Sequence, residues 1–193
     1  MTVREFFPAA AGEVVRMIEH VHTDELTAAT PCTELDLKGL VNHFTGTTAA
    51  LARVGDRLPL DPDDPYGSQQ DPSRGDWRQV LAGNVTAVAR AWERPEAWDG
   101  TVEMGGPPMP APMIGEMALA EILLHGWDLA RATGQQLSVS DEVGSELLRA
   151  IEETAELGRT MGAYGPEVSV DRQATPFERA LGASGRDPRW QAA

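Results

Sequence analysis

The chain has 193 residues, 41% of them hydrophobic, and a formal net charge of −14. That length supports one good hydrophobic core, or one domain with a small appendage. No long uncharged apolar run is present to span a membrane, and no Lys/Arg cluster to neutralise phosphates, so membrane insertion, anionic membrane surfaces and nucleic acid are all disfavoured. The N-terminal MTVREFFPAAAGEVV lacks the basic and long apolar regions of an export signal. A single cysteine, Cys32, excludes an internal disulfide and fits a reducing compartment. The expected location is the cytoplasm.

From about Phe6 to Val21, Phe7, Val14, Val15, Ile18 and Val21 recur at helical spacing, with Pro8 tolerable in a first turn. A connector broken by Pro31 follows, and Asp36 can cap a second helix from Leu37 to about Arg57. Leu37, Leu40, Val41, Phe44 and Leu51 form its apolar face, with His43 at the edge beside Thr47. The segment Leu58–Asp76 is rich in Pro, Asp and Gly and reads as a long loop. A third helix is expected from Trp77 to Trp92, carried by Val80, Leu81, Val85, Val88 and Ala89. TVEMGGPPMPAPM then suits a small hairpin or an irregular loop. After the next helix, Asp141–Met161 reads as amphipathic through Val143, Leu147, Leu148, Ile151, Ala155 and Leu157. The tail carries a short extended piece and one or two helical turns at Pro176–Leu181.

The most informative stretch is Met113–Thr133, MIGEMALAEILLHGWDLARAT, with Gly134 placed to cap its C-terminus. At 100° per residue, Ile114, Met117, Glu121, His125 and Asp128 share one stripe, while apolar residues cover most of the remaining circumference. Such a helix is expected to be buried, and buried carboxylates need a partner or a ligand. Glu121 and His125, at i and i+4, have the spacing at which one helix offers two ligands to a divalent metal, though an intrahelical pair explains the same spacing. Taken alone, His43 reads as a helix-edge histidine bonded to the backbone. Asp128 suits either an outer partner orienting a ligand or a salt bridge to Arg131 or Arg159. His20 and His22 are expected at the surface, Cys32 as a small buried residue, Trp77, Trp92, Trp98 and Trp190 in packing roles, and Trp127 as a pocket wall. Helices dominate throughout, so the fold class is all-α, with a bundle able to host a site between facing helices.

Three stretches, ATPCTELDLKGLVNHFTG, LAEILLHGWDLARATG and YGPEVSVDRQATPFERALGASGRDPRW, resemble the N-terminal domain of mycothiol-dependent maleylpyruvate isomerase and its relatives in the DinB-like, YfiT-like superfamily. The resemblance implies an up-down-down-up four-helix bundle spanning 1–193 as a single domain, with 164–193 as a C-terminal extension packed on it. It also implies a metal held by His43 of the second helix and by Glu121 and His125 of the fourth. The family's Gly-Trp-Asp before the second helix is Glu34-Leu35-Asp36 here, a departure that bears on the pocket mouth. The chain is expected to end too soon for the isomerase's separate C-terminal domain, so maleylpyruvate isomerisation itself is not the leading expectation.

Three protein ligands leave a position for water or substrate, the count of a catalytic site. Nitrogen and oxygen donors favour zinc and admit nickel, iron or manganese. The activity implied by the family is metal activation of an external thiol, mycothiol by analogy, for S-transfer to a small electrophile or its isomerisation. The alternatives are a hydrolase using metal-bound water and a non-catalytic, metal-stabilised bundle that binds a ligand or forms a homodimer.

Overall fold

The computed structural model describes residues 2–67 and 75–192. Residues 68–74, which belong to the expected long loop, lie outside the described residues. The chain divides into two compact units, Met1–Leu137 and Ser138–Ala193.

The first unit contains α1 (Phe7–Glu19), α2 (Leu37–Gly55), α3 (Trp77–Glu93) and α4 (Ala111–Ala132). Each begins where local chemistry permits. Pro8 occupies the first turn of α1, the Asp36 side chain accepts from the Gly39 N–H at 2.8 Å, and the Asp76 side chain caps α3. α4 starts two residues before the expected Met113 because Pro112 is compatible with a first helical turn. Gly134 follows it with φ +67°, the left-handed conformation that ends a helix with least strain in glycine. Between α3 and α4 a short antiparallel hairpin pairs β1 (Thr101–Val102) with β2 (Met109–Pro110).

Side-chain contacts fix the helix directions. Asn84 donates to the Thr45 carbonyl, Trp92 to that of Leu51 and Arg94 to that of Gly55, so the two sets of residue numbers rise together. α2 and α3 are therefore parallel, which requires the long crossover of residues 56–76. α1 and α4 are also parallel, since Gly126 packs on Val14 and Gln135 donates to the Met17 carbonyl. Arg78, at the start of α3, donates to the Val21 carbonyl beyond the end of α1, so that pair runs antiparallel. The result is the expected up-down-down-up order, with α1 and α2 each packed against both α3 and α4.

The core is what the periodicity predicts for Phe7, Val14, Ile18, Leu37, Leu40, Phe44, Leu51, Leu81, Val85 and Val88, all essentially buried. At one end Trp92 is fully buried and Trp98 meets it edge-on at 5.6 Å between ring centroids. Gly55 and Gly115 make room for these rings, because a Cβ at Gly55 would lie 2.8 Å from the Trp92 Nε1 and one at Gly115 2.6 Å from the Trp98 ring. Val80 departs from expectation: it lies outside the stripe that faces the core and is exposed.

The second unit contains α5 (Asp141–Thr160) and α6 (Pro176–Ala183). Ser140 caps α5, and a capping box between Thr175 and Glu178 starts α6. Val143, Leu147, Leu148 and Ile151 are buried, whereas Leu157 is exposed near the end of its helix. The expected extended piece lies against the end of α6 through Val168 N–H to the Gly182 carbonyl at 2.9 Å. Among the described residues no helix is long and apolar enough to cross a membrane.

Candidate metal centre

α2 and α4 run antiparallel along one seam of the bundle, and each supplies part of a single cluster. Phe44 of α2 turns into the core, which leaves His43 on the flank facing α4. On α4, Glu121 and His125 are neighbours one turn apart, and Asp128 continues the stripe. The Nε2 of His43 lies 3.4 Å from one carboxylate oxygen of Glu121, and the Nε2 of His125 lies 3.6 Å from the other. One donor atom from each of His43, Glu121 and His125 falls within 4.8 Å of the other two. The structure thus brings together the residue from the second helix and the pair from the fourth.

These separations exceed the usual N–H···O hydrogen-bond length. The two nitrogen–oxygen separations approach the spacing of ligands on a shared cation, and the widest donor separation, up to 4.8 Å, would have to close for all three to bind one ion. Ligand atoms bonded at about 2.0–2.1 Å to a tetrahedral ion sit roughly 3.3–3.4 Å from one another. Two imidazole nitrogens and a carboxylate form a borderline-hard set that suits zinc and also accepts nickel, iron or manganese.

The imidazole of His125 is fixed from behind. Its Nδ1 lies 2.9 Å from the Asp128 carboxylate, which is fully buried. An ionised carboxylate only accepts, so in the neutral ring the proton sits on Nδ1 and Nε2 is the nitrogen left to face Glu121. The contact with His125 has the geometry of a partner that orients a ligand. Arg159 instead donates to the backbone carbonyls of Gly165 and Ala183. Phe44 supports the other side of the imidazole at 5.8 Å between centroids, and His43 meets it edge-on at 4.8 Å.

Exposure grades across the cluster. The side chain of His43 is 45% exposed, that of Glu121 15%, that of His125 12% and that of Asp128 0%. The carboxylate and one imidazole are shielded, where electrostatic interactions are strong, and the His43 side opens to solvent.

His20 and His22 are exposed, and His20 is bonded to the Arg16 carbonyl through Nδ1. Trp127 is buried, with the Arg131 guanidinium 6.0 Å from its ring centroid. Cys32 is half-buried instead of buried, because it sits in a tight turn whose backbone is held by the Thr30 hydroxyl. Sequence reasoning assigned Phe44 to the core and missed its support of His125. It also passed over Gly46, one turn beyond His43, where the backbone of Tyr66 packs against the helix. A cleft of about 690 Å³ lies at the other end of α2, between residues 54–65 and the hairpin, and includes none of the cluster.

Comparison with known proteins gives a consistent family assignment. The profile described as the mycothiol maleylpyruvate isomerase N-terminal domain matches residues 7–130. The uncharacterized proteins Rv0738 and MT0763, from two strains of Mycobacterium tuberculosis, are each 28% identical over 137 residues, 69% of this chain and 69% of theirs. A crystal structure of the mycothiol-dependent maleylpyruvate isomerase has the same fold, with a TM-score of 0.65 at 17% identity. That likeness covers 99% of this chain and 90% of the isomerase chain. It therefore extends past the bundle into residues 138–193. With the profile running from the first bundle helix almost to the end of the fourth, the chain belongs to the mycothiol maleylpyruvate isomerase N-terminal domain family.

Proposed function

We propose that this protein is a metal-dependent enzyme that activates an external low-molecular-weight thiol, mycothiol, for S-transfer to a small electrophile or for its isomerisation. The observation that carries the reading is the convergence of His43, Glu121 and His125 from two antiparallel helices, with the third dimension of the site open on the His43 side. Membership of a family described by mycothiol and maleylpyruvate isomerisation supplies the substrate class. A divalent ion bound there would lower the pKa of a coordinated thiol enough to ionise it at neutral pH.

The chain's own residues do the rest. His43 and His125 would hold the ion through Nε2, and Glu121 would supply negative charge between them. Asp128 keeps the proton on the far nitrogen of His125, so Nε2 stays available. Phe44 keeps water from one face of that ring. No protein nucleophile is required, which suits a chain whose single cysteine lies in the connector before α2. Asp128 is the acid–base candidate for a hydrolase, but it engages Nδ1 of His125 and so lies behind the donor atoms; this favours the thiol reading over activated water. A thiol cosubstrate also fits a reducing, cytoplasmic setting.

The test is turnover of maleylpyruvate and of simple electrophiles by metal-loaded protein, with and without mycothiol. Loss of substrate only when both metal and thiol are present is expected. Turnover with metal alone would replace this reading by a hydrolase, and metal that raises only the melting temperature would leave a non-catalytic bundle.

A further inference from the structure

We infer that the seam between α2 and α4 continues from the metal centre as a short groove toward the hairpin end of the bundle, and that the Thr47 hydroxyl in it hydrogen-bonds a carbonyl carried by a bound thiol. The inference rests on the metal-site reading of His43, Glu121 and His125 and names the substituent the site takes beside the sulfur.

Because α2 and α4 run antiparallel, one turn forward from His43 and one turn back from Glu121 lead to the same end of the bundle. Those steps reach Thr47 at i+4 on α2 and Met117 at i−4 on α4. Side chains so spaced are neighbours, with Cβ atoms about 5–6 Å apart. His43 and Phe44, about 100° apart round α2, both meet the His125 imidazole, so the arc between them faces α4. Thr47 lies inside that arc, about 40° from His43.

Exposure marks out the same stretch on both helices. On α4, Asp128 is buried, His125, Glu121 and Met117 are partly exposed, and Ile114 is buried again. On α2, Leu40 is buried, His43 is open, Thr47 is half-buried, and Ala50 and Val54 are buried. The accessible seam thus runs from His43 and Glu121 to Thr47 and Met117 and stops one turn beyond them.

Neighbouring threonines differ in what their hydroxyls do. Those of Thr45 and Thr48 donate back to the Val41 and Phe44 carbonyls, one turn earlier on the helix. Among the described residues the Thr47 hydroxyl has no such partner, which leaves its proton for a ligand. Met117 offers an adaptable apolar wall beside it. Glu121 and Asp128 already put two carboxylates in the seam, and the chain carries −14, so a neutral carbonyl suits the hydroxyl better than a third carboxylate.

The probes are 3-mercaptopropionamide and 1-butanethiol, similar in length but with and without a carbonyl. Each is titrated into cobalt-loaded protein and followed by sulfur-to-cobalt charge-transfer absorption, with cobalt content measured separately. Thr47→Val replaces the hydroxyl by a methyl group. It is expected to keep cobalt at one per chain and leave 1-butanethiol affinity unchanged, while weakening the amide about fivefold, the scale of one hydrogen bond. Thr47→Ser should retain the wild-type preference for the amide, and Met117→Ala should weaken both thiols alike. An amide-to-alkyl preference unchanged by Thr47→Val would overturn the inference while leaving the metal centre intact. Cobalt lost from Thr47→Val would also overturn it, because the hydroxyl would then serve the ion and not the thiol. Wild-type protein that takes up no cobalt, or takes it up without any thiol band, would overturn both the underlying reading and this inference.

Discussion

The Nδ1–H of His125 donates to the Asp128 carboxylate across 2.9 Å, and Asp128 has no solvent exposure. The pairing is local, i to i+3 on one helix. Its consequence is chemical: it selects the tautomer with a free lone pair on the nitrogen that faces Glu121.

Asp128→Asn tests that consequence with almost no change in volume. An amide can donate as well as accept, so it no longer enforces one tautomer. Loss of an outer partner of this kind typically lowers metal affinity 10–100-fold. Competition against a chelator of known affinity should read a drop in that range with the helical circular dichroism unchanged. Equal affinity in the variant and the wild type would mean that Asp128 serves packing alone.

Removing ligands separates metal loss from misfolding. His43→Ala and His125→Ala should each bring bound metal well below one per chain on elemental analysis. The two differ in their metal-free stability. His43 is nearly half exposed, so its loss should cost the apo-protein no more than about 0.5 kcal/mol, the surface range. His125 is mostly enclosed by Phe44, His43 and Asp128, and its loss should cost about 1–3 kcal/mol. In wild-type protein, free metal at 100 times its dissociation constant would add about 2.7 kcal/mol, a gain that chelation abolishes and that His43→Ala should lack. Full occupancy in either variant would show that the ligand set is wrong.

The helices and one half of the site were legible because both are local. Periodicity located α1 to α4 within a residue or two, since Leu40, Phe44 and Leu51, or Leu81, Val85 and Val88, repeat at the pitch of the structure they form. Glu121 and His125 were legible for the same reason, one turn apart on one helix. The meeting of His43 with that pair is not local. It depends on α2 running antiparallel to α4, which in turn follows from the crossover that makes α2 and α3 parallel; only the family resemblance pointed to it. The errors have a similar origin. Val80 and Leu157 fit an apolar stripe in sequence, but each lies where no other element of its unit covers it. Gly46 carried no signal by itself, because its role is set by Tyr66, twenty residues later.

Gly126 links packing to the site and yields the last prediction. It follows His125 in α4, and a Cβ there would lie 2.5 Å from Cγ2 of Val14 in α1. Alanine in a helix interior is favoured over glycine by about 1 kcal/mol. Forcing an extra methyl into a packed contact costs about 1–3 kcal/mol. The second effect should win, so Gly126→Ala is expected to destabilise the protein by up to about 2 kcal/mol in equilibrium denaturation. Because α4 must then shift away from α1, metal affinity should fall in the same variant. Adding Val14→Ala makes space for the methyl, so the double variant should be less destabilised than the sum of the singles and should regain metal affinity. Additive stabilities, with affinity unaffected throughout, would show that close contact between α1 and α4 does not set the position of His125.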